Sequence, residues 1–318
     1  MNANTAAHPV LAEVVRSGFV EGRHCGSVVA LAADGSVELA LGEPDAPIFP
    51  RSSTKPMQAA AVLRLGLDLD GELLALASSS HSGETFHRDG VRAILASAGL
   101  DESALQTPHS FPLDEVETEL HLRAGGEREP ILMDCSGKHA AMLAVCVANG
   151  WPTRTYLEID HPVQQEILRV VREFTGDPVD HIGTDGCGAP LMAVSLTGLA
   201  RAFRAFVLAE PGTPERRVAD AMRAHPSFVA GTRRIDTWLM EEVPGSMAKM
   251  GAEAVQAVAL EDGRALAFKV DDGAKRAIGP VLAQALRRMG VEAAVLDKIG
   301  DSPLCGGGRR VGEVRAAF

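Results

Sequence analysis

The residues with the most chemical content in this chain are a serine and a lysine three positions apart. They are Ser52 and Lys55, within Pro50-Arg51-Ser52-Ser53-Thr54-Lys55-Pro56. On a helix, positions i and i+3 share a face, so Ser52 Oγ and Lys55 Nζ can meet. A lysine kept neutral by desolvation can take the hydroxyl proton and make serine a nucleophile without histidine. Pro56 is tolerated only in a first helical turn, where its missing N–H loses no bond. The pair therefore falls at a helix N-terminus, whose free N–H groups can hold an oxyanion or a substrate carboxylate. A plainer reading of the same residues is a serine N-cap followed by a surface lysine.

Four other segments offer partners for that pair. Ser80-His81-Ser82-Gly83-Glu84 follows a helical stretch and supplies a second hydroxyl, Ser80. His81 reads either as a general base or as a structural group in a hydrogen-bonded helix stop. Asp134-Cys135-Ser136-Gly137-Lys138-His139 is a loop-to-helix junction with N–H groups converging on one point. Its thiol can be a nucleophile, a metal ligand or a small core residue. Gly183-Thr184-Asp185-Gly186-Cys187-Gly188 is a tight glycine-rich loop carrying a carboxylate and a thiol. Cys135 and Cys187 could share a metal, although two cysteines fall short of a four-ligand zinc set. In Lys249-Met250-Gly251-Ala252-Glu253, Gly251 would let a ligand approach the backbone closely. Ser-x-x-Lys, a hydroxyl loop and then Lys-x-Gly is an order similar to that of serine β-lactamases and penicillin-binding proteins.

Strands and helices must bring these segments together. Alternating and apolar runs predict strands at 10–16, 26–33 and 37–41, the last two joined by the Asp34-Gly35 turn. Helical periodicity begins at Lys55 and predicts helices at 57–65, 71–78, 88–98, 139–149, 162–174, 196–208, 214–224 and 234–242. Strands return at 253–260 and 265–270, followed by a helix at 274–289 and a strand at 309–314. Pro280 either kinks that helix or marks its true start. Strands at both ends with helices between them predict an α/β (α+β) fold, with one antiparallel sheet built from both chain ends and an inserted helical lobe. The expected organisation is a single domain, 1–318. Its sheet lobe covers about 8–50 and 245–318, and its mainly helical lobe about 51–244.

Composition narrows the function classes. The 318 residues are 46% hydrophobic and 23% charged, as in a globular chain able to bury a sizeable core. A formal net charge of -11 argues against a nucleic-acid surface but leaves room for a small anionic or zwitterionic substrate. Five sparse cysteines do not suggest a disulfide framework and fit a reducing compartment. No apolar run approaches the roughly 20 residues of a membrane helix. The N-terminal residues lack the pattern of a signal peptide, so the expectation is a cytoplasmic protein with no membrane partner.

The five motifs, in this order from Arg51 to Glu253, resemble those of the rhizobial-type (class 3) L-asparaginases. The resemblance implies a serine β-lactamase/glutaminase-like fold and a homodimer. It implies two Ser-Lys tandems, Ser52–Lys55 and Ser80–Lys249, and a Zn2+ site made by Cys135, Lys138 and Cys187. It implies hydrolysis of L-asparagine to L-aspartate and ammonia through a serine acyl-enzyme. Arg51, His139 and Asp185 are then the substrate-binding candidates, and Cys25, Cys146 and Cys305 packing residues. Three other readings remain open: a β-lactamase-like or peptidase-like serine acyl hydrolase, a zinc-water amidohydrolase on another small amide, and a non-enzymatic asparagine-binding protein. Asparagine is not separated from glutamine, since one methylene is worth only about 1–3 kcal/mol in a pocket.

Overall fold

The computed structural model describes residues 8–318. Its strands are β1 (Val10–Arg16), β2 (Phe19–Leu31), β3 (Val37–Leu41), β4 (Pro47–Ile48), β5 (Ile182–Thr184), β6 (Pro190–Met192), β7 (Val194–Ser195), β8 (Met247–Gly251), β9 (Val255–Ala259), β10 (Ala265–Val270), β11 (Pro303–Gly306) and β12 (Arg309–Ala316). Its helices are α1 (Lys55–Arg64), α2 (Gly71–Ala77), α3 (Thr85–Ser97), α4 (Glu115–Arg123), α5 (Ser136–Ala148), α6 (Pro162–Thr175), α7 (Leu196–Leu208), α8 (Pro214–Ala224), α9 (Pro226–Val229), α10 (Ile235–Glu242), α11 (Ile278–Arg288) and α12 (Val295–Gly300). The fold is mixed α and β, with the sheet antiparallel.

Eight strands form one sheet in the order β11-β12-β1-β2-β10-β9-β8, with β3 also paired to β2. Its strands come from the two ends of the chain. Val14 of β1 lies opposite Val314 of β12, and Val28 of β2 opposite Phe268 of β10. Helix α7 packs along β2, β9 and β10, while α11 packs along β1, β9 and β12. All five residues of β9 are buried, which requires cover on both faces of the sheet at that strand. Helix α1 is buried from Lys55 to Leu63. A helix covered all round belongs to a core, so the segment before it is carried into the interior.

Several elements depart from the sequence reading. β2 starts at Phe19, seven residues before the expected strand, because Ser17 and Gly18 turn the chain at positive φ (49° and 84°) and pair Phe19 with Arg16. That first half is polar and contains Gly22, which hides it from hydrophobic patterning. Pro280 sits in the first turn of α11, so the helix starts at Ile278 after a 3-10 turn at Lys275–Ala277. Helix α4 escaped periodicity because Val116, Leu120 and Leu122 remain exposed on it. Cys146 is buried as a packing residue, but Cys305 is exposed on the edge strand β11. No described helix is long and apolar enough to cross a membrane.

Candidate active site

The Ser-x-x-Lys segment folds as a 3-10 turn, Arg51–Thr54, that runs directly into α1. The Lys55 N–H donates to Ser52 C=O, and in a 3-10 turn residues i and i+3 eclipse, so the two side chains share a face. Arg51 takes φ +54°, a left-handed conformation costly for a side-chain-bearing residue. The turn is held against β8: Ser53 Oγ donates to Lys249 C=O at 3.0 Å. The sequence suggests that Gly251 leaves space for a ligand, but its neighbour is the chain itself. A Cβ there would lie 2.2 Å from Pro50 O, so glycine lets β8 press against the Ser52 turn.

Ser80 follows α2 and is fixed by its backbone, its N–H donating to Val229 C=O at 2.9 Å. Its hydroxyl is the meeting point of the site. Lys55 Nζ and Lys249 Nζ each donate to Ser80 Oγ at 2.9 Å. Both lysines are buried, Lys55 at 0% and Lys249 at 1% exposure. The structure thus brings Lys55, Ser80 and Lys249 together, while Ser52 stands beside them, 9% exposed and hydrogen-bonded to neither lysine. The lysines differ in their surroundings. Lys55 has Asp134 at 3.7 Å. Burial, followed by repulsion from Lys55, pulls Lys249 down from 10.5 to about 7. Lys249 also donates to the Met250 carbonyl at 2.8 Å. Asp236, 2% exposed, is occupied with the Met250 N–H and with Gln256, and so braces β8.

The remaining candidates fall in two groups. Arg51 Nε donates to Asp185 Oδ1 at 2.7 Å, and the same oxygen accepts the Gly186 N–H at 2.8 Å. The two proposed substrate-binding residues are therefore partners of each other. Cys135, which precedes α5, packs with Cys187 and Ala189, and Lys138 lies one turn into the helix. A hydrogen bond from Cys135 and the charge of Lys138 pull the Cys187 thiol down, against the effect of burial. Burial opposes the charge of Lys138, but Cys187, Cys135 and Asp185 outweigh it and raise its pKa. His139 Nδ1 bonds to the Tyr156 hydroxyl at 2.7 Å, while its buried Nε2 has no hydrogen-bond partner.

This set can be tested against zinc. Two thiols and an amine are donors that zinc accepts, with a fourth position left open. Among the described residues no three His, Cys, Asp or Glu side chains gather closely enough to hold a metal, so the set needs Lys138. His139 stands beside the set, close enough to act on the Cys187 thiol. The residues fit zinc by chemistry, and binding would displace the protons held by the thiol and Lys138.

Some participants were not singled out from sequence. Asp134 beside Lys55, Asp236 behind β8 and Tyr156 on His139 are positioned only by the fold. Asp134 alone had a local signal, its place next to Cys135. His81 does not serve as an accessible base. It is fully buried, its Nε2 lies 2.7 Å from Ser136 Oγ, and burial keeps it neutral.

Comparisons with known proteins place this geometry in context. No curated protein matches the chain. Among solved structures, Mglu in its native form is 14% identical over 84% of this chain, with a TM-score of 0.46. The chain spans 65% of the length of Mglu. A β-lactamase from Mycobacterium bovis is 16% identical, covers 84% of this chain and 95% of its own, and also has a TM-score of 0.46. A Bacillus glutaminase is 11% identical over 83% of this chain and 91% of its own, with a TM-score of 0.36. The family model described as L-asparaginase II matches residues 12–316, nearly the whole chain. The chain belongs to the L-asparaginase II family.

Proposed function

We propose that the protein hydrolyses the side-chain amide of L-asparagine through a serine ester, using Ser52, Lys55, Ser80 and Lys249. The observation that carries this reading is Ser80 held at 2.9 Å by two buried lysines, beside Ser52 at a helix start. Family membership supports an amide as substrate.

Ser52 attacks the carboxamide carbon. Its residue is 9% exposed against 6% for Ser80, and its hydroxyl is not tied to either lysine. Lys55, eclipsed with it on the turn, takes its proton as it gives one of its own through Ser80 Oγ to the neutral amine of Lys249. A hydroxyl that accepts from two amines can pass protons between them, so Ser80 links Lys55 to Lys249. Lys249, with a pKa near 7, is the group that stores the proton and returns it to departing ammonia. The N–H groups at the start of α1 stabilise the oxyanion. Water then frees aspartate from Ser52.

Arg51 and Asp185 form one clamp for the zwitterionic end of the substrate, the guanidinium for carboxylate and the carboxylate for ammonium. Cys135, Lys138 and Cys187 would hold zinc, which would supply a positive point that orients substrate. The protein works as a homodimer.

A second assignment of the nucleophile has its own support. Both lysines bond to Ser80 and neither to Ser52, so Ser80 has the arrangement that best stabilises an alkoxide. The experiment is ammonia release from L-asparagine and L-glutamine by wild type, Ser52→Ala and Ser80→Ala, with mass spectrometry of the trapped ester. An ester on Ser52, lost in Ser52→Ala, is the expected result. An ester on Ser80 reverses the roles, and full ammonia release by both variants refutes serine catalysis.

A further inference from the structure

Beside the lysine–serine cluster lies a second feature that release of ammonia does not need. A cleft of about 400 Å3 opens where α10 begins, and Met250 forms part of its wall. Met250 is the residue whose carbonyl accepts Lys249 Nζ at 2.8 Å. Asp114, also in the lining, ties the cleft to the Ser80 loop, its N–H donating to Ser82 C=O at 3.3 Å. Two residues of the cleft wall thus hydrogen-bond to Lys249 and to the Ser80 loop, the groups proposed to deliver a proton to the leaving nitrogen.

Its lining has a defined chemistry. Ile235, Met250 and Ile278 give it an apolar side. Arg233 is neutralised by Asp114 at 2.9 Å and Glu117 at 2.7 Å. Arg234 and Lys275 line the same cleft and pair with no carboxylate among the described residues. Arg234 precedes α10, which has no side-chain cap, so the positive end of that helix adds to the two free cations. Glu115, also in the lining, is exposed and unpaired among the described residues.

Ammonia occupies no such space. An amino acid leaving group does, with its carboxylate on Arg234 and Lys275 and its side chain on the apolar wall. We propose that this cleft is a leaving-group subsite, and that the enzyme also hydrolyses β-aspartyl dipeptides whose second residue is apolar and has a free carboxylate. The inference rests on the amidohydrolase reading above. Attack breaks the amide C–N bond, and the proton carried by Lys249 and Ser80 goes to the nitrogen, releasing the free amino acid. Water then supplies the hydroxyl that releases aspartate from the serine. An acidic second residue would meet Glu115 and be selected against.

The test compares three substrates on the wild-type enzyme: L-asparagine, β-aspartyl-leucine and β-aspartyl-leucinamide, the last lacking the carboxylate. Leucine should be released from the dipeptide, and kcat/KM should fall about tenfold or more when the carboxylate is blocked, the effect of losing charge-assisted hydrogen bonds. Lys275→Ala should raise KM for β-aspartyl-leucine and leave L-asparagine turnover unchanged. Hydrolysis of L-asparagine without release of leucine would overturn the subsite alone, as would equal turnover of the free and blocked dipeptides. Failure on all three substrates would overturn the amidohydrolase reading with it. The blocked-substrate comparison needs no variant, so it stands even if Lys275→Ala does not fold.

Discussion

Replacing Lys249 by methionine should end activity and, below neutral pH, stabilise the protein. Lys249 is 1% exposed, and burial lowers its pKa from 10.5 to about 7. The unfolded chain holds the proton up to about pH 10.5, while the folded protein releases it above about 7. Between these values the unfolded state binds more protons, so stability rises with pH. The destabilisation from Lys249 is thus absent above about 10.5, grows as pH falls, and is complete below about 7. At 1.36 kcal/mol per pH unit, the gap between 10.5 and about 7 corresponds to about 5 kcal/mol. Methionine keeps most of the volume but leaves the Met250 carbonyl without its lysine donor, a pH-independent loss of about 1–3 kcal/mol. Lys249→Met should therefore be more stable than wild type at pH 6 by a few kcal/mol and less stable at pH 10.5, with the difference changing by about 1.4 kcal/mol per pH unit between. Urea unfolding of both proteins at pH 6, 7, 8, 9 and 10 measures this directly. A stability difference that does not vary with pH would show that Lys249 titrates normally in the fold, and would remove it as the proton store.

Three further outcomes follow from the same geometry. If neutral Lys249 is the working form, kcat/KM should rise with pH through about 7, and a profile flat from pH 6 to 8 would contradict that role. Gly251→Ala places a methyl 2.2 Å from Pro50 O and must displace the Ser52 turn; we expect a stability loss of about 1–3 kcal/mol and a fall in kcat larger than the change in KM, read by thermal unfolding and steady-state kinetics. Asp185→Asn removes the charge from the Arg51 pair while keeping its shape, and should raise KM for L-asparagine about tenfold or more with little change in melting temperature; an unchanged KM would remove the pair from substrate binding.

Much of the fold could be read from local pattern because its physical causes are local. Ala265–Val270 reads as a strand because it is a short apolar run buried on both faces, and the helices Leu196–Leu208 and Pro214–Ala224 have the periodicity of elements with one buried face. The polar first half of β2 and helix α4 do not, since their apolar residues are sparse or exposed, and only pairing and caps hold them. In the site, the five motifs marked the segments because serine, cysteine, lysine and glycine stand together there at junctions of loops and helices.

The sequence by itself determined the chemical inventory: hydroxyls three residues from a lysine, two thiols in glycine-rich loops, and a lysine two residues before a glycine. It also determined that Ser52 and Lys55 share a face, because that depends on one turn of backbone. Only the tertiary structure decided which hydroxyl the lysines would meet. Ser80 comes from the end of α2 and Lys249 from a strand 169 positions later, and their contact at 2.9 Å exists because α1, α2 and β8 pack together. The fold likewise decided that Gly251 accommodates Pro50 rather than a ligand, and that Lys249 has a pKa near 7. Burial and repulsion between lysines depend on distances across the molecule, which no local stretch of sequence encodes.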